Sequence, residues 1–217
     1  MRRPLIILGT SGLAREVAML VEQINAQTHR WDILGFIGEP GCKIGENLGV
    51  APILGDDDWL LTQDFEADLV VGIGHPRIKA RVLARFLEQG SRYAYPNVIH
   101  SKATLDFKRI ELGQGNVITA GCVLTCDIKI GDFNLFNLNT TVGHDARIGS
   151  FSVINPTVNI SGGVHIGDRV LIGTGAQVLE NLTIGSDAVV GAGAVVTRNI
   201  PEGETVVGVP AKPLRRK

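Results

Sequence analysis

The chain predicts two architectures in series: a small α/β domain on a parallel sheet, then a three-sided parallel β-helix. Three observations carry that reading. Residues 1 to about 95 alternate short apolar runs with stretches of helical period. From Leu112 to Val196 an apolar residue returns at every sixth position without an insertion. The 217 residues include 27 Gly and only 5% aromatic side chains, so the core must be built from small and aliphatic groups, as a repeat builds it.

In the first half, Leu5–Leu8 reads as a short buried strand and Gly9–Gly12 as a tight turn. Leu13, Val17, Leu20, Val21 and Ile24 then fall on one helical face. Trp31–Ile37 is a second strand, Ala51–Leu54 a short third, and Leu69–Ile73 a buried fourth. Pro76 suits the first turn of a helix, whose inner face is predicted to be Ile78, Val82, Leu83, Phe86 and Leu87, with Gly90 as its stop. Alternating strands and helices imply a parallel sheet under helices. Ligands of such sheets bind beyond the carboxyl ends of the strands, here Gly9–Gly12, Gly38–Glu39 and Gly72–His75.

The second half steps by six: Leu112, Ile118, Leu124, Ile130, Phe136, Val142, Ile148, Ile154, Ile160, Ile166, Ile172, Val178, Ile184, Val190, Val196. At a 44% apolar background, fifteen such hits in a row arise by chance roughly once in 10⁵ to 10⁶. The next residue is Gly, Thr, Asn or Ser except at Leu179, and two residues before the hit the side chain is mostly small, as at Cys122, Ala146, Ser152, Ala176, Ala188 and Ala194. A period of six is neither 3.6 nor 2. It fits a strand and a corner, three of which close one triangular coil, with coils stacking about 4.8 Å apart by ladder hydrogen bonds. Fifteen hexads make five coils over about residues 98–200.

Composition excludes several classes. Lys and Arg number 21 against 22 Asp and Glu, which argues against a general nucleic-acid binder. No apolar run approaches the ~18 residues of a membrane span, and the apolar start, Leu5–Leu8, is too short for a secretory signal. Three cysteines without a CxxC fit a reducing cytoplasm and no zinc framework.

The [LIV]-Gly-x4 units and the closing Val206–Lys212 resemble the hexapeptide-repeat acyltransferases, and the Gly-x-x-Gly-x-x-Arg opening from Gly9 resembles sugar acetyltransferases of the sialic acid O-acetyltransferase and UDP-4-amino-sugar N-acetyltransferase type. The resemblance implies an α/β N-terminal Rossmann-like domain, residues 1–95, that holds a sugar nucleotide. It implies a left-handed parallel β-helix over 96–217, and it supplies the hand, which periodicity does not set. It further implies acetyl-CoA as co-substrate, no metal, and a homotrimer with active sites between neighbouring prisms, acting in the cytoplasm on a surface-polysaccharide or glycan precursor. No nucleic acid or membrane is expected as a partner.

His144-Asp145 carries the chemistry. It lies two residues past inward-facing Val142, where the repeat has no need of a histidine. Acyl transfer from a thioester requires a base, neutral imidazole titrates in the right range, and an adjacent carboxylate can hold its tautomer. An exposed histidine at a corner is the structural alternative. Asn137 matches an acceptor-side Asn of the related enzymes, though Asn also suits a turn. Ser161, Gly162 and Gly163 fall one 18-residue coil after His144, and a backbone N–H there suits the developing oxyanion; a turn glycine explains them nearly as well. Gly173-Thr174-Gly175-Ala176 and Gly191-Ala192-Gly193-Ala194 repeat the pattern one and two coils on and are expected to leave a groove for pantetheine. Lys212, Arg215 and Arg216 are candidates for the CoA phosphates.

At the other end Gly9, Ser11 and Gly12 open a helix whose N-terminus favours an anion. This is not Gly-x-Gly-x-x-Gly, so a dinucleotide fingerprint fails. By resemblance Glu39 lies near the nucleoside, Gly74 near the diphosphate, and Lys79 stands where relatives often carry Arg. Leu13 and Val153 replace histidines that many relatives carry near the sugar or acetyl group. O-acylation of a free sugar is the alternative chemistry, and a non-enzymatic sugar-nucleotide sensor the alternative class. A carbonic-anhydrase-like zinc site needs three converging histidines, and the helix offers only His144 and His165, 21 residues apart.

Overall fold

A computed structural model describes residues 2–88 and 92–214. Gly90, the expected helix stop, and Arg215 and Arg216, the expected phosphate contacts, lie outside the described residues.

The α/β domain contains β1 (Arg3–Leu8), α1 (Gly12–Thr28), β2 (Trp31–Gly38), β3 (Ile53–Asp56), α2 (Asp57–Thr62), β4 (Ala67–Val71), α3 (Pro76–Leu87) and β5 (Tyr93–Ala94). The sheet runs β3-β2-β1-β4-β5, all parallel. The chain winds outward from β1 to β3, then returns to β4 on the other side, so the strand order reverses between β1 and β4, where open α/β sheets bind ligands. The sequence pattern predicts neither α2 nor β5. α2 is six residues long and starts because the Asp56 side chain accepts from the Trp59 N–H. In α3 the burial pattern differs from expectation. Pro76, Lys79, Leu83 and Phe86 are buried, while Ile78 and Leu87 are exposed.

The β-helix follows the hexad rule. From Leu135 to Val178 each strand pairs in parallel with the strand 18 residues on, as in Leu135↔Val153 and Thr141↔Asn159, and the last coil shortens the step to 16, as in Val189↔Thr205. The inward residues from Ile118 to Val196 are all buried and form one core cluster. The corners are set by a second period of six. Positions 115, 121, 127 and onward to 193 all adopt positive φ, a conformation open to Gly, Asn and Asp. Thr157 (φ 59°) and Arg169 (φ 55°) break that preference, and so do two aromatic residues, Phe133 (φ 55°) and Phe151 (φ 62°). The two rings stack at 5.4 Å, with Tyr95 edge-on to Phe133 at 5.2 Å, and form a socket for the α/β domain. Burial of Phe133 and partial burial of Phe151 offset an αL cost of roughly 1–2 kcal/mol each.

The three faces of the prism differ. One sheet points Val117, Leu135, Val153 and Leu171 outward into the core of the α/β domain. A second carries Glu111, Lys129, Arg147 and His165 toward solvent, His165 as expected. The third carries Thr141, Asn159 and Gln177, joined into a side-chain ladder at 2.6 and 3.0 Å.

Candidate active site

The ends of β1, β2 and β4 open into a cleft of about 660 Å³, a size suited to a small organic ligand. Gly9, Ser11, Glu39 and Gly74 line it, together with Thr10, His75 and Arg81. Gly9 sits at φ 110°, and a Cβ there would meet the Gly72 carbonyl oxygen at 2.9 Å, so the β1 and β4 ends close together only with glycine. Ser11 is the N-cap of α1, yet its hydroxyl bonds no backbone N–H among the described residues. An anion at this turn meets both that hydroxyl and the helix N-terminus. The α3 wall supplies Ile78, Arg81, Val82 and Arg85. Arg85 is tied to Asp57 and Asp58, whereas Arg81 has no ion pair among the described residues. Arg81 escaped the sequence reading. Its signal was its place three residues after Ile78, on the side of α3 that proves open.

The second feature lies on a corner of the β-helix. His144 Nδ1 donates to Asp145 Oδ2 at 2.8 Å, and both side chains are about two-thirds exposed. That bond assigns the ring proton to Nδ1 and leaves the Nε2 lone pair outward. Asp145 adopts φ 59°, the corner conformation an acidic residue tolerates. Gly162 stacks over the ring as the spacing predicts. A Cβ on it would lie 2.7 Å from both Cε1 and Nε2, so the imidazole occupies the space a side chain would need. The Gly163 N–H donates to the His144 carbonyl. The Ser161 N–H is used by the ladder, donating to Val178, but the Gly162 N–H has no partner among the described residues. Cys126 lies one coil beneath, its carbonyl accepting from the Asp145 N–H. Desolvation and the Asp127 carboxylate hold its thiol above the ordinary range, so it supplies little thiolate. Farther up, Lys212 lines a depression of about 300 Å³ together with Thr197 and Arg198.

Several expectations need correction. Gly173, Thr174, Gly191 and Ala192 do not stack above Ser161–Gly163. They begin 12 and 30 residues later, not 18 and 36, and so occupy the neighbouring edge, in line with Asn137. A Cβ on Gly173 would meet Ala192 N at 2.4 Å and one on Gly191 would meet Val207 Cγ1 at 2.7 Å, so close stacking already demands these glycines. Asn137 is buried and its Oδ1 accepts from the Leu138 N–H, a turn-forming role one edge away from His144. Gly12 and Leu13 are not part of the cleft lining. Leu13 packs on the cluster that contains Val153, which is 1% exposed beneath the α/β domain. Both departures from histidine therefore fall in one apolar joint. Lys79 is 2% exposed and faces away from the cleft, its Nζ donating to the Ser152 carbonyl at 3.2 Å.

Comparison with known proteins bears on both features. Residues 4–86 match the PglD N-terminal domain, and residues 163–198 match the bacterial transferase hexapeptide (six repeats). The acetyltransferase domain of PglB from Neisseria gonorrhoeae, solved in complex with acetyl coenzyme A, is 32% identical, covering 99% of this chain and 100% of its own, at a TM-score of 0.88. A mutant of perosamine N-acetyltransferase from Caulobacter crescentus, in complex with CoA and GDP-perosamine, is 30% identical over 98% of this chain and 97% of its own, at a TM-score of 0.85. WeeI from Acinetobacter baumannii is 31% identical over 97% and 100%, at 0.84. No match was found among curated proteins.

Proposed function

The chain belongs to the hexapeptide-repeat sugar N-acetyltransferases of the left-handed β-helix type, and from that premise we propose that it transfers the acetyl group of acetyl-CoA to the amino group of a nucleotide-linked amino sugar. The reading rests above all on the His144–Asp145 pair, with its free Nε2 backed by Gly162. Nε2 takes a proton from the attacking amine as the C–N bond forms, and Asp145 supports the resulting imidazolium. The Gly162 N–H faces the thioester oxygen as charge develops there. When the C–S bond breaks, the imidazolium returns the proton to the departing sulfur. Arg198 and Lys212, at the top of the β-helix, supply positive charge for the phosphates of CoA.

The cleft takes the nucleotide. Arg81 and the α1 N-terminus bind the diphosphate, with Ser11 and Gly74 beside it and Glu39 toward the nucleoside. UDP is the expected nucleotide, and a precursor of a surface polysaccharide or other glycan is the expected context.

Within one chain this chemistry is incomplete. The α/β domain covers one face of a triangular prism, and His144 lies on the edge opposite that face. A sugar held in the cleft therefore needs the base of a second copy. A homotrimer meets that need. In it the His144 edge of one subunit meets the neighbour's edge bearing Asn137, Gly173, Thr174, Gly191 and Ala192. The uncharged face with the Thr141–Asn159–Gln177 ladder, bordered by exposed Leu138 and Leu179, serves self-association.

The test is release of CoA thiol from acetyl-CoA with a panel of UDP-, GDP- and dTDP-linked amino sugars. Turnover with at least one is expected. No thiol release with any of them rejects the reading.

A further inference from the structure

Helix α3 has two working faces. One forms a wall of the nucleotide cleft through Ile78, Arg81, Val82 and Arg85. The other rests on the β-helix through two polar contacts that neither the sugar nor the acyl chemistry uses. The first is Lys79, fully enclosed at the joint, with the Ser152 carbonyl as its only hydrogen-bond acceptor among the described residues. Ser152 belongs to a buried polar column in which Asn134 Oδ1 accepts from the Ser152 N–H and Ser152 Oγ accepts from the Val170 N–H. The second is Asp187, which accepts from Arg77 Nε at 2.9 Å and from Arg169 at 2.7 Å, bridging the start of α3 to the β-helix. His75, the N-cap of α3, lines both the nucleotide cleft and a smaller cavity of about 180 Å³ at the joint.

We propose that Lys79 and Asp187 are positioning residues for the nucleotide: the seat of α3 on the β-helix sets the shape, and so the affinity, of the cleft on the opposite face of the same helix. This rests on the nucleotide-sugar reading of that cleft.

The two contacts behave differently. The Asp187 pairs are ionic at any ordinary pH, because the Arg169 guanidinium and then Arg77 hold the carboxyl below its usual range. The Lys79 amine has three donors when charged and one acceptor, in a place that water does not reach. Burial pushes its pKa down to about 7. The charged and titratable groups on the packed elements are Arg77, Arg81 and Arg85 on α3, His75 at its N-cap, and Asp168, Arg169 and Asp187 on the β-helix. None bonds to Lys79. A protonated Lys79 opposes seating, and a neutral one permits it. In a helix that is lifted off its seat, Lys79 returns to its ordinary value of 10.5. Seating therefore becomes more favourable as pH rises from about 7 toward 10, and a ligand that selects the seated helix binds more tightly over the same range.

The experiment is calorimetric titration of UDP and of GDP into full-length wild type, K79M and D187N at pH 7 and pH 9, with CoA titrated in parallel to report an intact β-helix. Wild type is expected to bind one nucleoside diphosphate about fivefold more tightly at pH 9 than at pH 7, a modest population shift. K79M loses that difference, because its side chain keeps the length without the charge. D187N weakens nucleotide binding at both pH values, with CoA affinity unchanged in every variant. An equal pH dependence in wild type and K79M overturns the proposal, as does D187N binding within twofold of wild type, or a parallel loss of CoA affinity. Wild type that binds neither UDP nor GDP rejects the nucleotide-sugar reading itself, and the inference with it.

Discussion

His144 owes its orientation to three neighbours: the carboxylate that follows it, the corner conformation of Asp145, and the bare Cα of Gly162 above its ring. His144→Ala is expected to lower kcat/KM by about 10²-fold or more, as for loss of a general base. A drop below threefold in steady-state thiol release rejects it as the base. Gly162→Ala tests the stacking separately. The added methyl meets an exposed side chain rather than backbone, so the fold should survive while the base shifts. A loss of at least tenfold in kcat is expected, since a misplaced reacting group is costly, with the thermal midpoint nearly unchanged. Full activity in that variant means that the ring works from another rotamer. The pair and its glycine were legible in the sequence, because His144 to Gly162 is one whole coil.

At the scale of elements, α3 and the hexads depart from the sequence reading in different ways. The α3 pattern ranked Ile78 as core and left Lys79 for ligand, and the positions are reversed. Amphipathic spacing assumes one apolar partner per helix. Here the apolar side chains Ile78 and Val82 line the cleft, and a lysine faces the second domain. The buried amine makes stability depend on pH with a definite sign. Between about 7 and 10.5 the unfolded chain holds the Lys79 proton and the folded chain does not, so stability rises with pH, and the deficit is complete below 7. K79M should lack that rise, with the difference in thermal midpoint narrowing from pH 7 to pH 9.5. Parallel curves refute it. In the β-helix each inward side chain is a separate wedge. Phe136→Ala is expected to cost about 3–5 kcal/mol in chemical denaturation, because Phe136 is fully enclosed on the axis.

On the scale of the whole molecule, the separation of base and cleft makes a prediction that no single-chain active site shares. H144A and a cleft variant such as R81E should each be inactive alone. Co-expressed in equal amounts and allowed to form mixed trimers, they should regain about one quarter of the wild-type sites, those that pair an intact base with an intact cleft across an interface. Absence of recovery, with mixed trimers demonstrated by mass spectrometry, refutes a shared site.

The sequence by itself determined the period of the β-helix, its inward residues, the strand ends that form the cleft, and the coil-to-coil contact of His144 with Gly162. These follow from local backbone preference and a regular repeat, which act over one coil or less. Only the tertiary structure decided which face of the prism the α/β domain covers. That choice buried Val153, brought the α/β domain against the Phe133 and Phe151 corners, and turned Lys79 inward. Those outcomes depend on packing between distant segments, and a residue's own spacing carries no record of which surface will come to lie against it.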